Sequence, residues 1–150
     1  RSTAAHNTVS VVNKNSSVVW GGFRMGRRAK VTIEKDSPTE ILACHDGFGH
    51  NIIHQRHFAF CDHAINIEDF IIGKVANAIS YLHFSPQTDV SIVSEPDGII
   101  KAGKVIIKTE GFNGISMKTD YVSTEYNKLQ PCQVLEISFH QQQRYSIKVT

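Results

Sequence analysis

The stretch CHDGFGHNIIHQRHFAFCDHAI, residues 44–65, shows the pattern that decides the fold. Short runs of β-branched and aromatic residues, at positions 52–53 and 58–61, follow a turn signal at Asp46-Gly47. The same spacing continues along the chain, with Gly, Asn, Asp and Pro between apolar runs, as at residues 96–98 (PDG). About ten short strands with turn signals between them predict an all-β sandwich or barrel.

The composition fits one folded domain or most of one. The chain has 150 residues, of which 41% are apolar, and this excludes a disordered or collagen-like protein. Sixteen Lys and Arg against fourteen Asp and Glu leave a formal charge of +2, too small to predict nucleic-acid or anionic-membrane binding. Three cysteines favour a reducing compartment, and no signal peptide or membrane span is recognisable. The start at Arg1 suggests a segment of a longer protein.

Two segments could be helical. Residues 66–73 open with Asn66 as a candidate cap, followed by Glu68 and Asp69, which suit a helix N-terminus and predict a short helix. Residues 74–83 (KVANAISYLH) fit a helix and a strand almost equally well. Between apolar runs, Asn113-Gly114 predicts a tight hairpin because both residues tolerate positive φ.

The histidine-rich stretch raises the question of a metal. Five of the eight histidines and two of the three cysteines lie within residues 44–63, and zinc prefers thiolate and imidazole ligands. However, no Cys-x2-Cys unit is present, and on a strand only His57, Cys61 and His63 would share a face. We therefore expect no bound metal and no other cofactor, with a zinc module as a remote alternative.

Four blocks, in order, resemble one enzyme family. They are GGFRM at 21–25, the stretch 44–63, the pair 102–108 and 113–118, and LQPCQVLEI at 129–137. Together they resemble the chymotrypsin-like (3C-like) main protease of nidoviruses, in a torovirus-like or other divergent form. The resemblance implies a chymotrypsin-like antiparallel β-barrel over residues 1–120, the incomplete start of a second barrel over residues 121–150, and one short helix after the strand that ends at His63.

The same resemblance implies the N-terminal portion of a viral polyprotein-processing endopeptidase. His63 would be the general base, since a strand-end histidine can reach a cleft, and Glu110, preferred to Asp89, would orient it. A solvated position is equally open for either carboxylate. No Gly-x-Ser-Gly or Gly-x-Cys-Gly occurs, so the nucleophile would lie beyond Thr150, and Cys132 is a poor candidate. This portion alone would be inactive.

The implied partners are peptide segments of the viral polyprotein. The resemblance leaves room for a homodimer, involves no nucleic acid and no membrane contact, and places the protein in the host cytoplasm. The alternative is a non-enzymatic β-sandwich, such as a viral capsid or adhesin-type binding domain, which explains the strands and the mild charge equally well.

Overall fold

The computed structural model describes residues 2–11, 14–22, 24–49 and 51–150. Its elements are a 3₁₀ turn at Thr3–Ala5 and the strands β1 (Val9–Val11), β2 (Val19–Trp20), β3 (Arg24–Met25), β4 (Val31–Asp36), β5 (Glu40–His45), β6 (Ile53–Cys61), β7 (Ala64–Ile72), β8 (Ala78–His83), β9 (Val90–Ser94), β10 (Ile99–Ala102), β11 (Val105–Glu110), β12 (Gly114–Glu125), β13 (Lys128–Phe139) and β14 (Gln142–Val149). In these ranges no helix is long and apolar enough to cross a membrane. The all-β prediction is confirmed.

The strands form two facing antiparallel sheets and a small ribbon. The large sheet has eight strands in the order β4-β5-β6-β7-β14-β11-β10-β9, and the small sheet has four in the order β1-β8-β13-β12. Strands β2 and β3 pair only with each other. The main core joins the two sheets, because Ile100, Ile107 and Tyr145 of the large sheet pack in one cluster with Leu135 and Ile137 of the small sheet. The architecture is therefore a β-sandwich.

The helix predicted for residues 66–73 is wrong, since all of this segment except Gly73 lies within β7. Its burial alternates with a period of two: Ile67, Asp69 and Ile71 are buried, whereas Asn66 and Glu68 lie on the other face. Pairing with β6 on one side and β14 on the other satisfies the backbone along its length. These ladders outweigh the capping signal of Asn66. The ambiguous segment 74–83 contributes a strand, β8.

The hairpin predicted at Asn113-Gly114 is also wrong. Strand β11 already has β10 and β14 on its two edges, so β12 has no free edge there to pair with. The chain instead crosses between the sheets, and Asn113 N donates to Ser138 O, 2.7 Å away, beside β12.

The predicted chymotrypsin-like barrel is wrong because neither sheet closes on itself. Strands β4 and β9 are the edges of the large sheet, and β1 and β12 are the edges of the small one. Residue 120, the expected domain boundary, lies inside β12. Strand β14, near the end of the chain, is inserted between β7 and β11.

Candidate functional site

The outer face of the large sheet, which points away from the small sheet, carries a groove of about 570 Å³. Its floor comes from alternate residues of four neighbouring strands, as strand geometry requires. The lining residues are His57, Ala59, Cys61, Ala64, Asn66, Glu68, Lys108, Glu110, Arg144, Ser146 and Lys148. The groove is thus built on rigid strands and lined by both cations and carboxylates.

Ion pairs cross this outer face from β4 to β11, and we call them the charged row. Adjacent members have opposite charge when the histidine is protonated, and each pair joins neighbouring strands except the last, which lies within β11. The pairs are Lys35–Glu40, Glu40–His57 (3.0 Å), His57–Glu68 (3.8 Å), Glu68–Arg144 (3.8 Å), Arg144–Glu110 and Glu110–Lys108 (3.7 Å).

Hydrogen bonds within the charged row favour the ionised form of two of its carboxylates, Glu40 and Glu110. The hydrogen bond from Arg144 lowers the pKa of Glu110, and hydrogen bonds from Lys35 and then His57 lower the pKa of Glu40. The row can therefore offer carboxylate acceptors and guanidinium or ammonium donors side by side. Such a mixed floor suits a ligand that has both hydroxyl and acidic groups.

A second polar cluster is buried between the sheets around Asp69, which has no exposed surface. Arg56 donates to both of its carboxylate oxygens, from Nε (2.6 Å) and Nη2 (3.0 Å), and His54 Nε2 lies 2.8 Å from Oδ1. Gln143 Nε2 donates at 2.9 Å and Ser80 Oγ at 3.3 Å. Because Ser80 belongs to the small sheet and the others to the large one, the cluster ties the two sheets together.

Asp69 is an ionised carboxylate despite its burial. Burial alone would raise the pKa of Asp69, but the charge of Arg56 and the hydrogen bonds from His54 and Arg56 outweigh it and hold this pKa well below its ordinary value. Since an ionised carboxylate only accepts, His54 Nε2 must carry a proton.

A second histidine, His45, extends this hydrogen-bonded chain, and its contacts fix its tautomer. Burial keeps His45 neutral, and its Nδ1 accepts from Gly47 N, so its one ring proton lies on Nε2 and is donated to His54 Nδ1, 3.1 Å away. Gly47 N donates to His45 Nδ1, also at 3.1 Å. The chain Asp69–His54–His45 therefore holds the loop after β5 and requires a neutral His45.

We predict that acid weakens the fold through His45. Burial, and next the neighbouring His54, lowers the pKa of His45 to about 4, whereas an unfolded histidine titrates near 6.5. Between these values the unfolded chain binds more protons, so stability falls as the pH drops through this window. Thermal unfolding should show a smaller loss between pH 7 and pH 4 for His45→Gln than for the wild type. Equal losses would contradict the assignment.

The structure does not bring the predicted catalytic residues together. His63 is exposed in the turn between β6 and β7, and Glu110 pairs with Arg144. Glu110 lies level with Glu68, four residues along β7 from Ala64, or about 13 Å. Asp89 precedes the edge strand β9.

The cysteines and metal ligands are placed as follows. Cys132 is buried, and burial raises the pKa of its thiol, which makes it a poor nucleophile. In the part of the chain that the structure describes, no three His, Cys, Asp or Glu side chains are grouped to hold a metal ion.

The sequence reasoning missed Arg56, Asp69 and Arg144. The signal for the first two was a polar residue at an inward position of a strand, as at Asp69 between Ile67 and Ile71. A buried charge of this kind requires a partner, and Arg56 on the neighbouring strand supplies it.

The fold and the two polar clusters define a β-sandwich domain, and comparison with known proteins specifies which kind. The chain belongs to the heparinase II/III-like, C-terminal family, whose model matches residues 1–150. No curated protein matches it.

Solved structures share the fold at low sequence identity. Heparinase III, the BT4657 gene product, superposes with a TM-score of 0.77 at 18% identity and covers 100% of this chain. A mutant of the heparan sulfate lyase HepC from Pedobacter heparinus superposes with a TM-score of 0.76 at 15% identity and covers 99%. In both cases the match spans 24% of the other chain, so this chain corresponds to about a quarter of those proteins.

These findings overturn the resemblance to nidovirus proteases. The four matching blocks are short strand and turn sequences, which antiparallel proteins of different folds share. The viral endopeptidase is wrong because the family model that matches the whole chain is a different one. The location in the host cytoplasm is wrong with it, since it depended on release from a viral polyprotein, whereas HepC comes from Pedobacter heparinus. The alternative prediction, a β-sandwich domain, is the one that fits, as a domain of the heparinase II/III-like, C-terminal family rather than a capsid or adhesin.

Proposed function

We propose that this chain is the β-sandwich module of a polysaccharide lyase and that its groove holds part of an acidic polysaccharide. The membership of the family and the fold shared with heparinase III and a heparan sulfate lyase support the class of ligand. The observation that carries the site is the composition of the groove floor, which four strands form. Arg144, Lys108 and Lys148 lie there beside the carboxylates of Glu68 and Glu110.

The groove side chains match the groups of a uronate-containing glycan. Arg144 presents a planar, permanently charged donor for a sugar carboxylate or sulfate, and Lys148 adds a second cation. Glu68 and Asn66 can accept hydrogen bonds from ring hydroxyls. Because all four side chains stand on strands, little order has to be gained on binding.

Calorimetric titration with heparan sulfate at low salt tests the groove. We expect the affinity of the groove for heparan sulfate to fall at least about tenfold in the double variant Arg144→Gln/Lys148→Gln. The matched control, Lys104→Gln/Lys128→Gln, removes two exposed cations outside the groove, one in the turn before β11 and one at the start of β13, and should bind within about twofold of the wild type. Equal weakening in both variants, or no binding by the wild type, would contradict the proposal.

A further inference from the structure

The modest net charge of the chain hides a strongly uneven distribution. Six of the sixteen Lys and Arg residues, and none of the fourteen Asp and Glu residues, fall in the first 33 positions. Four of these cations, Arg24, Arg27, Arg28 and Lys30, lie in or just after the two-stranded ribbon of β2 and β3. We call residues 18–30 the basic ribbon. The basic ribbon is therefore strongly positive, although the net charge of the whole chain is only +2.

The basic ribbon carries a fixed aromatic surface. Trp20 pairs directly with Arg24, so their side chains share one face. The Trp20 ring lies against Gly26, where an added Cβ would be only 2.6 Å from ring atom Cζ3. Half of the tryptophan surface nevertheless remains exposed (50%). Glycine at position 26 thus lets the ring lie close to the backbone while it still faces solvent.

All four cations of the basic ribbon are exposed, but one of them, Arg27, is already hydrogen-bonded within the protein. Arg27 is held, because its Nη2 donates to Gly47 O at 2.5 Å, which fixes the ribbon beside the loop after β5. Within the described ranges, the side chains of Arg24, Arg28 and Lys30 make no ion pair or hydrogen bond. Six cations elsewhere do have acidic partners, namely Lys35, Arg56, Lys108, Lys118, Lys128 and Arg144.

We propose that the basic ribbon is a second binding site for an anionic glycan, separate from the groove. One sugar ring packs its C–H face on Trp20, and neighbouring carboxylate or sulfate groups bind Arg24, Arg28 and Lys30. The choice of a glycan over other polyanions rests on the proposed function.

Trp20 makes this site directly observable, because it is the only tryptophan in the chain. Addition of heparan sulfate should change the tryptophan fluorescence of the wild type, and the change should weaken as salt is raised. The ribbon variant Arg24→Gln/Arg28→Gln should need at least about tenfold more heparan sulfate for the same change. The control Lys104→Gln/Lys128→Gln should titrate like the wild type.

The groove variant Arg144→Gln/Lys148→Gln separates the two sites. It should keep the fluorescence change, because Trp20 lies outside the groove. If that variant binds like the wild type in calorimetry while the fluorescence change persists, the groove fails and the ribbon stands. If fluorescence does not respond to heparan sulfate in the wild type, the ribbon site is refuted whatever the groove does.

The position of the ring and the class of ligand have their own tests. Gly26→Ala, whose backbone angles tolerate a side chain, should displace the ring and weaken the fluorescence titration while far-ultraviolet circular dichroism is unchanged. Neutral dextran should give no response. A response to oligothymidylate or to phosphatidylserine vesicles at equal or lower concentration than to heparan sulfate would overturn the assignment to a glycan.

Discussion

Replacement of Asp69 by alanine should destabilise the protein by about 3–5 kcal/mol, the largest loss we expect from one polar side chain. The carboxylate accepts hydrogen bonds from Arg56, Gln143 and Ser80, and contacts His54. Its loss leaves the largely buried guanidinium of Arg56 without a counter-charge. Urea unfolding followed by circular dichroism measures the change as a lower midpoint at an unchanged slope.

Two further variants distinguish the buried cluster from an ordinary ion pair. Glu110→Ala removes an exposed carboxylate that also pairs with arginine, and it should lower the urea midpoint far less than Asp69→Ala does, because solvent screens the pair. The double variant Arg56→Met/Asp69→Leu removes both buried charges and should be less destabilised than Asp69→Ala alone. If Asp69→Ala costs no more than Glu110→Ala, the cluster does not hold the sheets together.

The strands were predictable where a single face is buried. The β-branched runs at 105–107 (VII) and 134–139 (VLEISF) predict strands from their composition alone, and the structure places them in β11 and β13. In β7, by contrast, Asn66, Glu68 and Asp69 look like a helix start. The alternation that decides for a strand depends on Asp69 being buried, and this requires Arg56 on β6.

The topology and the site needed information that no local pattern carries. The sequence allowed a sandwich or a barrel, and the barrel is excluded by the strand order, in which β4 and β9 remain edges of the large sheet and β1 and β12 remain edges of the small one. The charged row likewise connects Lys35 to Lys108 only through five successive cross-strand ion pairs and one within β11. Such long-range pairing depends on register, whereas composition and spacing report only on neighbours along the chain.

The core offers the second large effect, at Phe139. Its side chain has no exposed surface and packs with Val9, Phe48, Ile71 and Ala78. These residues come from the N-terminal strand, the loop after β5, and both sheets, so one ring joins four separate segments. Phe139→Ala should therefore destabilise the protein by about 3–5 kcal/mol through lost burial and the cavity left behind.

Phe60 provides the matched control for this prediction, since it loses the same atoms from a site that is 38% exposed. Phe60→Ala should cost about 1 kcal/mol, because solvent already reaches part of the ring and little cavity remains. Urea midpoints of the two variants, measured side by side, give the comparison.

Because Phe48 follows Gly47 in the loop that His45 holds, Phe139→Ala should also speed hydrogen exchange at the Gly47 amide more than Phe60→Ala does. Equal stability losses in the two variants would show that the contacts of Phe139 do not join these segments as described.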